Sequence, residues 1–385
     1  MSIPADHDEA QLALMEIAEK RQRFVDIANE NGFAEGIKNL LTNLYPDNAH
    51  FIFELLQNAE DAGATNVNFS LENDCLVFSH DGSRQFTDED IVAITSHGKS
   101  SKLDNNTAIG KFGVGFKAVF AYTDTPEIHS GYYHFRIRDL VVPEFEGVDQ
   151  TSNHALTRFV FPFNHPSKSR DTAVAEIEAG LRRLPETTLL FLKHISTLKY
   201  QLPGGRCGSA RRIQHGNNHV ELQAVTSSEM SPRGFGISRI SEESNRREST
   251  SSHWLRYDKA AQLTDKEDGG TPKVCPLSIA YRIERRTAPS EKDTPHSSFD
   301  GSMHGWKIVP VDGLVAIYFP AAKEISQLKF HMHAPFASTV ARDSVRDSAE
   351  NMTLRDHLAD LAADSMQQIR DAGLLSVEFL ATLPL

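Results

Sequence analysis

Apolar side chains recur at helical spacing from residue 8 to residue 29 (Leu12, Leu14, Ile17, Phe24, Ile27), which predicts a long first helix. A shorter one is predicted over 35–44. After Pro46, Asp47 can N-cap a third helix that runs through FIFELLQNAEDA and stops at Gly63. The period then changes from helical to alternating. Strands are predicted at 67–71 and 76–79, and again over 127–138 and 158–163. Between them come a helix at 88–95, a Gly- and Lys-rich loop reaching Gly115, and a helix into 119–122. A charged helix over 171–184 closes this region. Beyond residue 185, strands are predicted at 198–202, 219–224, 277–284, 314–319 and 328–333, with a final long helix over 354–372. Residues 226–252 are dense in Ser, Arg and Glu and read as a mobile insertion. Residues 264–271 and 287–302 read as further loops, and no internal repeat is visible.

The chain has 385 residues, more than one ordinary domain, so two domains are expected, 1–184 and 185–385. Lysine and arginine number 40 against 52 acidic residues, a net charge of −12. That balance argues against a general nucleic-acid binder. No apolar run approaches the roughly 18 residues of a membrane span, and the N-terminus lacks the basic and apolar blocks of a secretion signal. A cytoplasmic location is expected. Cys75, Cys207 and Cys275 form no CxxC pair and read as reduced thiols. The chain ends in the apolar run LSVEFLATLPL, which reads as a cut through a longer polypeptide.

Glu54, Asn58 and Asp61 are spaced i, i+4 and i+7, so they share one face of the third helix. Taken alone they are a solvated polar face. Residues 108–120, AIGKFGVGFKAVF, set Gly110, Gly113 and Gly115 between a loop and an apolar helix start. Such a segment lets backbone amides approach an anion closely. It is not a Walker A loop, and no strand precedes it directly as in a dinucleotide fold. SHGKSSK, residues 96–102, reads either as a surface loop or as a lid over a polyphosphate.

In order, ELLQNAEDA, a strand into HDG at 80–82, HGKSSK and GKFGVGFKAVF resemble the GHKL family of ATP-binding domains. That family includes heat-shock chaperones, mismatch-repair ATPases, type II topoisomerases and histidine kinases, and the closest likeness is to its sacsin-type branch. The motifs cover about residues 50–165. The resemblance implies an α+β fold, a GHKL (Bergerat) sandwich of helices on a mixed sheet, followed by a smaller α/β transducer-like domain. It implies ATP and Mg²⁺ as ligands, with Asn58 binding the metal and Glu54 orienting and deprotonating the attacking water. Asp61 would face the nucleotide. Lys99, Ser100 and Lys102 would belong to the lid, and Gly110, Lys111, Phe112, Gly113, Val114, Gly115, Phe116 and Lys117 to the phosphate loop. Thr157, opening TRFVFPF, matches the threonine supporting the adenine site. The family places an aspartate two residues before the glycine of HDG to accept from the adenine amino group. Here His80 stands there, so either Asp81, beside Gly82, takes the role or base recognition is altered; Asp81 is preferred.

HAPFASTVARDSVRD, residues 333–347, is similar to a stretch found after sacsin-type ATPase domains and offers Arg342 and Arg346 to a γ-phosphate. Lys307 is a further candidate. The resemblance thus implies Mg-dependent, slow ATP hydrolysis that drives a chaperone-like or sensor switch, in part of a larger protein of a quality-control or defence system. An ATP-dependent homodimer and an unidentified protein client follow as partners. The alternatives are a nucleotide sensor without turnover and a DNA-processing MutL-like ATPase. A histidine kinase is disfavoured, since neither His7 nor His50 has a phospho-acceptor setting. His215 with His219, in a Gly/Asn-rich turn, and His331 with His333, alternating along a strand with no acidic or cysteine partner nearby, read as structural, since a metal site needs a third and fourth ligand.

Overall fold

Alternating burial along residues 66–80 makes the first pair of strands. β1 (Asn66–Leu71) buries Val67, Phe69 and Leu71, and β2 (Cys75–His80) buries Leu76, Phe78 and His80. They pair antiparallel in the register Val67↔His80, Phe69↔Phe78 and Leu71↔Leu76. β6 (Thr157–Pro162) continues these rows, with Thr157 opposite His80, Phe159 opposite Phe78 and Phe161 opposite Leu76. β3 (Glu127–Ser130), β4 (Tyr133–Arg138) and β5 (Val142–Phe145) extend the sheet antiparallel beyond β6. On the other side of β1, β7 (Thr197–Gln201) runs parallel to it. The sheet order in this computed structural model of the protein is β7-β1-β2-β6-β3-β4-β5.

The structure describes residues 3–33, 36, 51–96, 115–147, 155–227, 247–264, 272–286, 303, 305–321, 323–339 and 343–383. The chain forms two units: Met1–Pro185 with Lys193–Ala210 and Val225–Ser249, and Glu186–Leu192 with Arg211–Ala224 and Thr250–Leu385. The expected helix over 35–44, its neighbour Asp47, the body of the insertion and the loops around 265–271 and 287–302 lie outside the described residues.

In unit 1, α1 (His7–Glu30) starts where the Asp6 side chain accepts from the Glu9 N–H and packs against β5. α2 (Phe51–Asp61) sets Phe51 against Phe161 of the sheet, ring centres 6.2 Å apart. It ends in a Schellman turn, with the Ala64 N–H donating to Ala59 O and the Gly63 N–H to Glu60 O. Gly63 stands at φ +72° there, which a side chain would disfavour. α3 (Asp88–Ile94) opens with a reciprocal capping box between Thr87 and Asp90. The helix expected into 119–122 is a 3₁₀ segment, Phe116–Ala121, packed against α2. Its Phe116 ring lies 6.1 Å from that of Phe159. α4 (Arg170–Arg182) buries Ala173, Ile177 and Leu181 and packs on β1.

Unit 2 is organised on β11 (Pro272–Arg285), paired antiparallel with β10 (Arg247–Thr264), β12 (Trp306–Val309) and β15 (His331–His333). β13 (Val315–Ile317) joins β15 in parallel and turns into β14 (Phe319–Pro320). Tyr318, at φ +68°, breaks the single strand expected over 314–319. Beyond β10 lies β9 (His219–Ser227), the partner of β8 (Cys207–Gln214). α5 (Ala349–Asp371) covers β11 with Leu354, Leu358, Leu361, Ser365 and Ile369. The short α6 (Val377–Leu380) places Phe379 against Tyr281. β5, β8, β10 and β12 are absent from the expectations above. β10 mixes Ser, Thr and charged residues on its open face, which blurs its alternation. His331 and His333 are buried, and each Nδ1 accepts a backbone N–H, from Leu314 and Tyr318 respectively at 3.1 Å. All three cysteines are free, and no helix among the described residues is long and apolar enough to cross a membrane.

Burial lowers the pKa of His80, His331 and His333 from 6.5 to about 4. The unfolded chain therefore takes up these protons first, so their contribution is complete above pH 6.5 and is lost as pH falls through 4. The thermal unfolding midpoint followed by circular dichroism should drop progressively between those values, and less steeply in His331→Gln.

Candidate functional site

α2 carries the polar side chains that matter, and it carries them inward. Glu54, Gln57, Asn58 and Glu60 are between 2% and 5% exposed. Burying a carboxylate or an amide is costly unless its polar atoms are engaged. For Glu60 the partners are three successive amides. Its Oε1 accepts from the N–H of Lys193 (2.6 Å) and His194 (2.7 Å), and its Oε2 from Ile195 (2.8 Å). This carboxylate ties α2 to the segment entering β7. Sequence reasoning missed it, because Glu60 sits among Gln57, Asn58 and Asp61 and nothing local sets it apart.

Glu54 meets the end of the glycine-rich segment. A Cβ placed on Gly115 would lie 2.0 Å from Glu54 Oε2 and 2.3 Å from its carboxyl carbon. Gly115 has ordinary right-handed backbone angles (φ −63°, ψ −43°), so glycine is required there for space and not for conformation. Asn58, one turn along α2, faces a cavity shared with His80, Phe86, Asp90 and Phe159. Among the described residues that space is about 10 Å³, room for a water molecule. Residues 97–114, which include Lys99, Ser100, Lys102, Gly110, Lys111, Phe112, Gly113 and Val114, lie outside the described residues. Asp61 is half-buried at the end of α2, and Phe116 is buried beneath it against Phe159 and Phe161.

The strand ends below α2 supply the floor of the cavity. Thr157 is buried opposite His80, and its Oγ1 lies 2.8 Å from Ser130 Oγ. Ser130 Oγ in turn accepts from the Phe86 N–H. His80 Nδ1 accepts from the Gly82 N–H at 3.1 Å, which leaves the ring proton on Nε2. Burial, opposed only by nearby Asp81, keeps this imidazole neutral. Gly82 has no room for a side chain, since a Cβ would come within 2.8 Å of Ala62 Cβ and 2.9 Å of Ala62 O.

Two assignments change. Asp81, preferred above as the base acceptor, is committed elsewhere. Its Oδ1 accepts from the N–H groups of Thr65 (2.7 Å) and Asn66 (2.8 Å), and its Oδ2 from Thr65 Oγ1 (2.7 Å) and Asn66 Nδ2 (2.6 Å). Burial raises its pKa, but the bonds from Asn66 and Thr65 outweigh that and hold it at about 2. Asp81 ties the end of β2 to the start of β1, while His80 faces the cavity. Lys117 is the second case. It is fully buried, and its Nζ donates to Ile94 O at 2.8 Å and to Leu140 O. Burial, and then the charge of Arg21, lower its pKa to about 7. This ammonium staples the 3₁₀ segment to α3 and to the turn before β5, and so does not serve as a phosphate contact. In unit 2, Arg346 is exposed ahead of α5, its N–H donating to Ala337 O and its carbonyl accepting from Asn351 Nδ2. Lys307 lies on β12, and Arg342 is outside the described residues.

Residues 70–160 match the Sacsin domain family. The chain is 32% identical to the protein NO VEIN of Arabidopsis thaliana over 188 residues, 42% of this chain and 7% of that one. It is 35% identical to human Sacsin over 111 residues, 25% of this chain and 2% of that one. It therefore spans only a small fraction of the length of either relative. Among solved structures, the N-terminal domain of a DNA repair protein is similar at 10% identity with a TM-score of 0.43, covering 86% of this chain and 98% of that one.

Gly115→Ala should force the Glu54 carboxylate out of its place. We expect a loss of stability of about 1–3 kcal/mol, read from urea denaturation. Lys117 binds its proton less readily when folded than when unfolded, so protein stability rises with pH from about 7 towards 10 on its account. The stability of the wild type relative to Lys117→Met should rise over that window. A difference that stays constant with pH would contradict the lowered pKa.

Proposed function

Residues 70–160 match the Sacsin domain family, and from that likeness we propose that unit 1 binds Mg·ATP beside α2 and hydrolyses it slowly, the output being a conformational change. The observation that carries the reading is the placement of two buried polar groups one turn apart. Glu54 lies against Gly115, where the glycine-rich segment ends, and Asn58 faces the cavity over His80 and Phe159. A carboxylate and an amide on an apolar helix, at the margin of a glycine-rich loop, are the groups that a triphosphate with a hard cation needs.

The residues suit that ligand in kind. The amide oxygen of Asn58 is a neutral hard donor, appropriate for Mg²⁺, which when bound would neutralise phosphate charge. Glu54 would orient a water molecule and accept its proton, and its burial favours a proton-accepting role in a site closed to bulk solvent. Gly115 and the residues before it would supply backbone N–H groups to the phosphates. At the base, His80 would present Nε2–H, a donor, where a carboxylate would present an acceptor. This predicts recognition of a ring nitrogen or carbonyl of the base, with weaker selection for the adenine amino group.

Turnover of Mg·ATP measured on wild type, Glu54→Ala and Asn58→Ala tests the assignment. Glu54→Ala should keep nucleotide affinity and lose hydrolysis by about a hundredfold or more. Asn58→Ala should lose binding. Equal turnover in wild type and Glu54→Ala would remove the general-base role. Thermal stabilisation by GTP comparable to that by ATP is expected from His80, and strict ATP selectivity would exclude that reading of the base pocket.

A further inference from the structure

The hairpin of unit 2 holds a group of donors that the linear sequence separates. His215 ends β8 at the tight turn, where its N–H donates to His219 O. Glu221 follows on β9, and His253 stands on neighbouring β10. One ring nitrogen from each of His215 and His253 and one carboxylate oxygen of Glu221 all lie within 4.8 Å of one another. The pair His215–His219 reads as structural from its own stretch of sequence. Folding adds the third and fourth groups, Glu221 and His253.

We propose that His215, Glu221 and His253 form a binding site for a borderline divalent transition metal, Zn²⁺ foremost, that clamps the β8–β9 hairpin to β10. Two imidazoles and a carboxylate suit such an ion, whereas Mg²⁺ and Ca²⁺ take oxygen shells. Tetrahedral ligands at the usual Zn–N and Zn–O lengths stand roughly 3.3 Å apart, so donors that lie up to 4.8 Å from one another would close in by about 1.5 Å at most. His215 Nε2 and Glu221 Oε2, 2.5 Å apart, would part by a little under an ångström as a metal replaces the proton they share.

The surroundings hold the donors as ligand-supporting groups do. Glu221 Oε1 accepts from Gln223 Nε2 and Ser251 Oγ, both at 2.8 Å, which aims the other oxygen at His215. His253 Nδ1 lies 3.0 Å from His219 Nε2. With His253 Nδ1–H donating to His219 Nε2, the lone pair left on His253 Nε2 is the one a metal takes. Trp306 packs edge-on against His219 and His253, with ring centres 5.1 and 4.7 Å away, and walls one side with an apolar surface. The side chains of His215 and Glu221 are 24% and 12% exposed. A metal can therefore enter, and a fourth position stays open to water.

A tag-free, EDTA-treated chain titrated with ZnCl₂ by calorimetry tests the site, with Co²⁺ added in parallel to read the visible ligand-field bands. One equivalent should bind, raise the thermal unfolding midpoint and give the intense bands of a four-coordinate Co²⁺ complex. His253→Ala and Glu221→Gln should each weaken binding more than tenfold, with the far-UV spectrum and the metal-free midpoint showing that each variant is folded. Glu221→Gln nearly keeps the shape of the carboxylate and serves if the histidine variant does not fold. Cys75→Ser should leave binding unchanged, because Glu72, Asp74 and Cys75 are the other group of possible ligands among the described residues. No binding near one equivalent, less than a twofold change in both site variants, or loss only in Cys75→Ser would overturn the proposal. None of these outcomes bears on nucleotide binding by unit 1.

Discussion

The buried carboxylate of Glu60, under three consecutive amide N–H groups of residues 193–195, is the constraint on which unit 1 depends. Those amides precede β7, the strand that runs parallel to β1. A parallel neighbour cannot be reached by a tight turn, so the chain must return from far along the sequence and be held in place on arrival. Glu60 does the holding from α2. The same bonds limit how α2 can slide or rotate, and that restriction keeps Glu54 against Gly115 and Asn58 over the strand ends. Charge-assisted bonds of this kind are stronger than neutral ones, and leaving such a carboxylate buried without them would be severely destabilising.

Below α2, cross-strand rows decide what the cavity contains. Phe69, Phe78 and Phe159 form one row, and Val67, His80 and Thr157 the next. His80 thus occupies a core position of an aromatic face, its ring 5.9 Å from that of Phe78. Alternation alone sends residue 80 inward and residue 81 outward. Asp81 is therefore turned away from α2 and finds Thr65 and Asn66. The swap of roles between neighbouring residues follows from strand geometry more than from the chemistry of either side chain.

Unit 2 shows the complementary effect. His331 and His333 are two apart on one strand, and both accept backbone N–H groups, so their proximity in sequence has a packing reason. His215 and Glu221 meet across the β8–β9 hairpin, and His253 joins them by pairing of β9 with β10, a strand whose Ser-, Thr- and charge-rich sequence hides it from a reading of periodicity. Where the apolar rhythm was strong, as in α1, β1, β2, α3 and α5, the elements lie within a few residues of their predicted bounds.

The sequence by itself determined the helix with Glu54, Asn58 and Asp61 on one side, the glycine at position 115, the strand leading into His80 and the threonine that opens β6. These are local matters of period, capping and backbone space, which neighbouring residues dictate. Tertiary structure alone decided that Asp81 ties β2 to the start of β1, that Lys117 is sealed against two carbonyls, that Glu60 holds a distant segment and that three metal-type donors converge in the second unit. Each of these depends on which remote groups share a buried volume. No local spacing encodes that, because partners tens to more than a hundred residues away are set by the pairing of the strands.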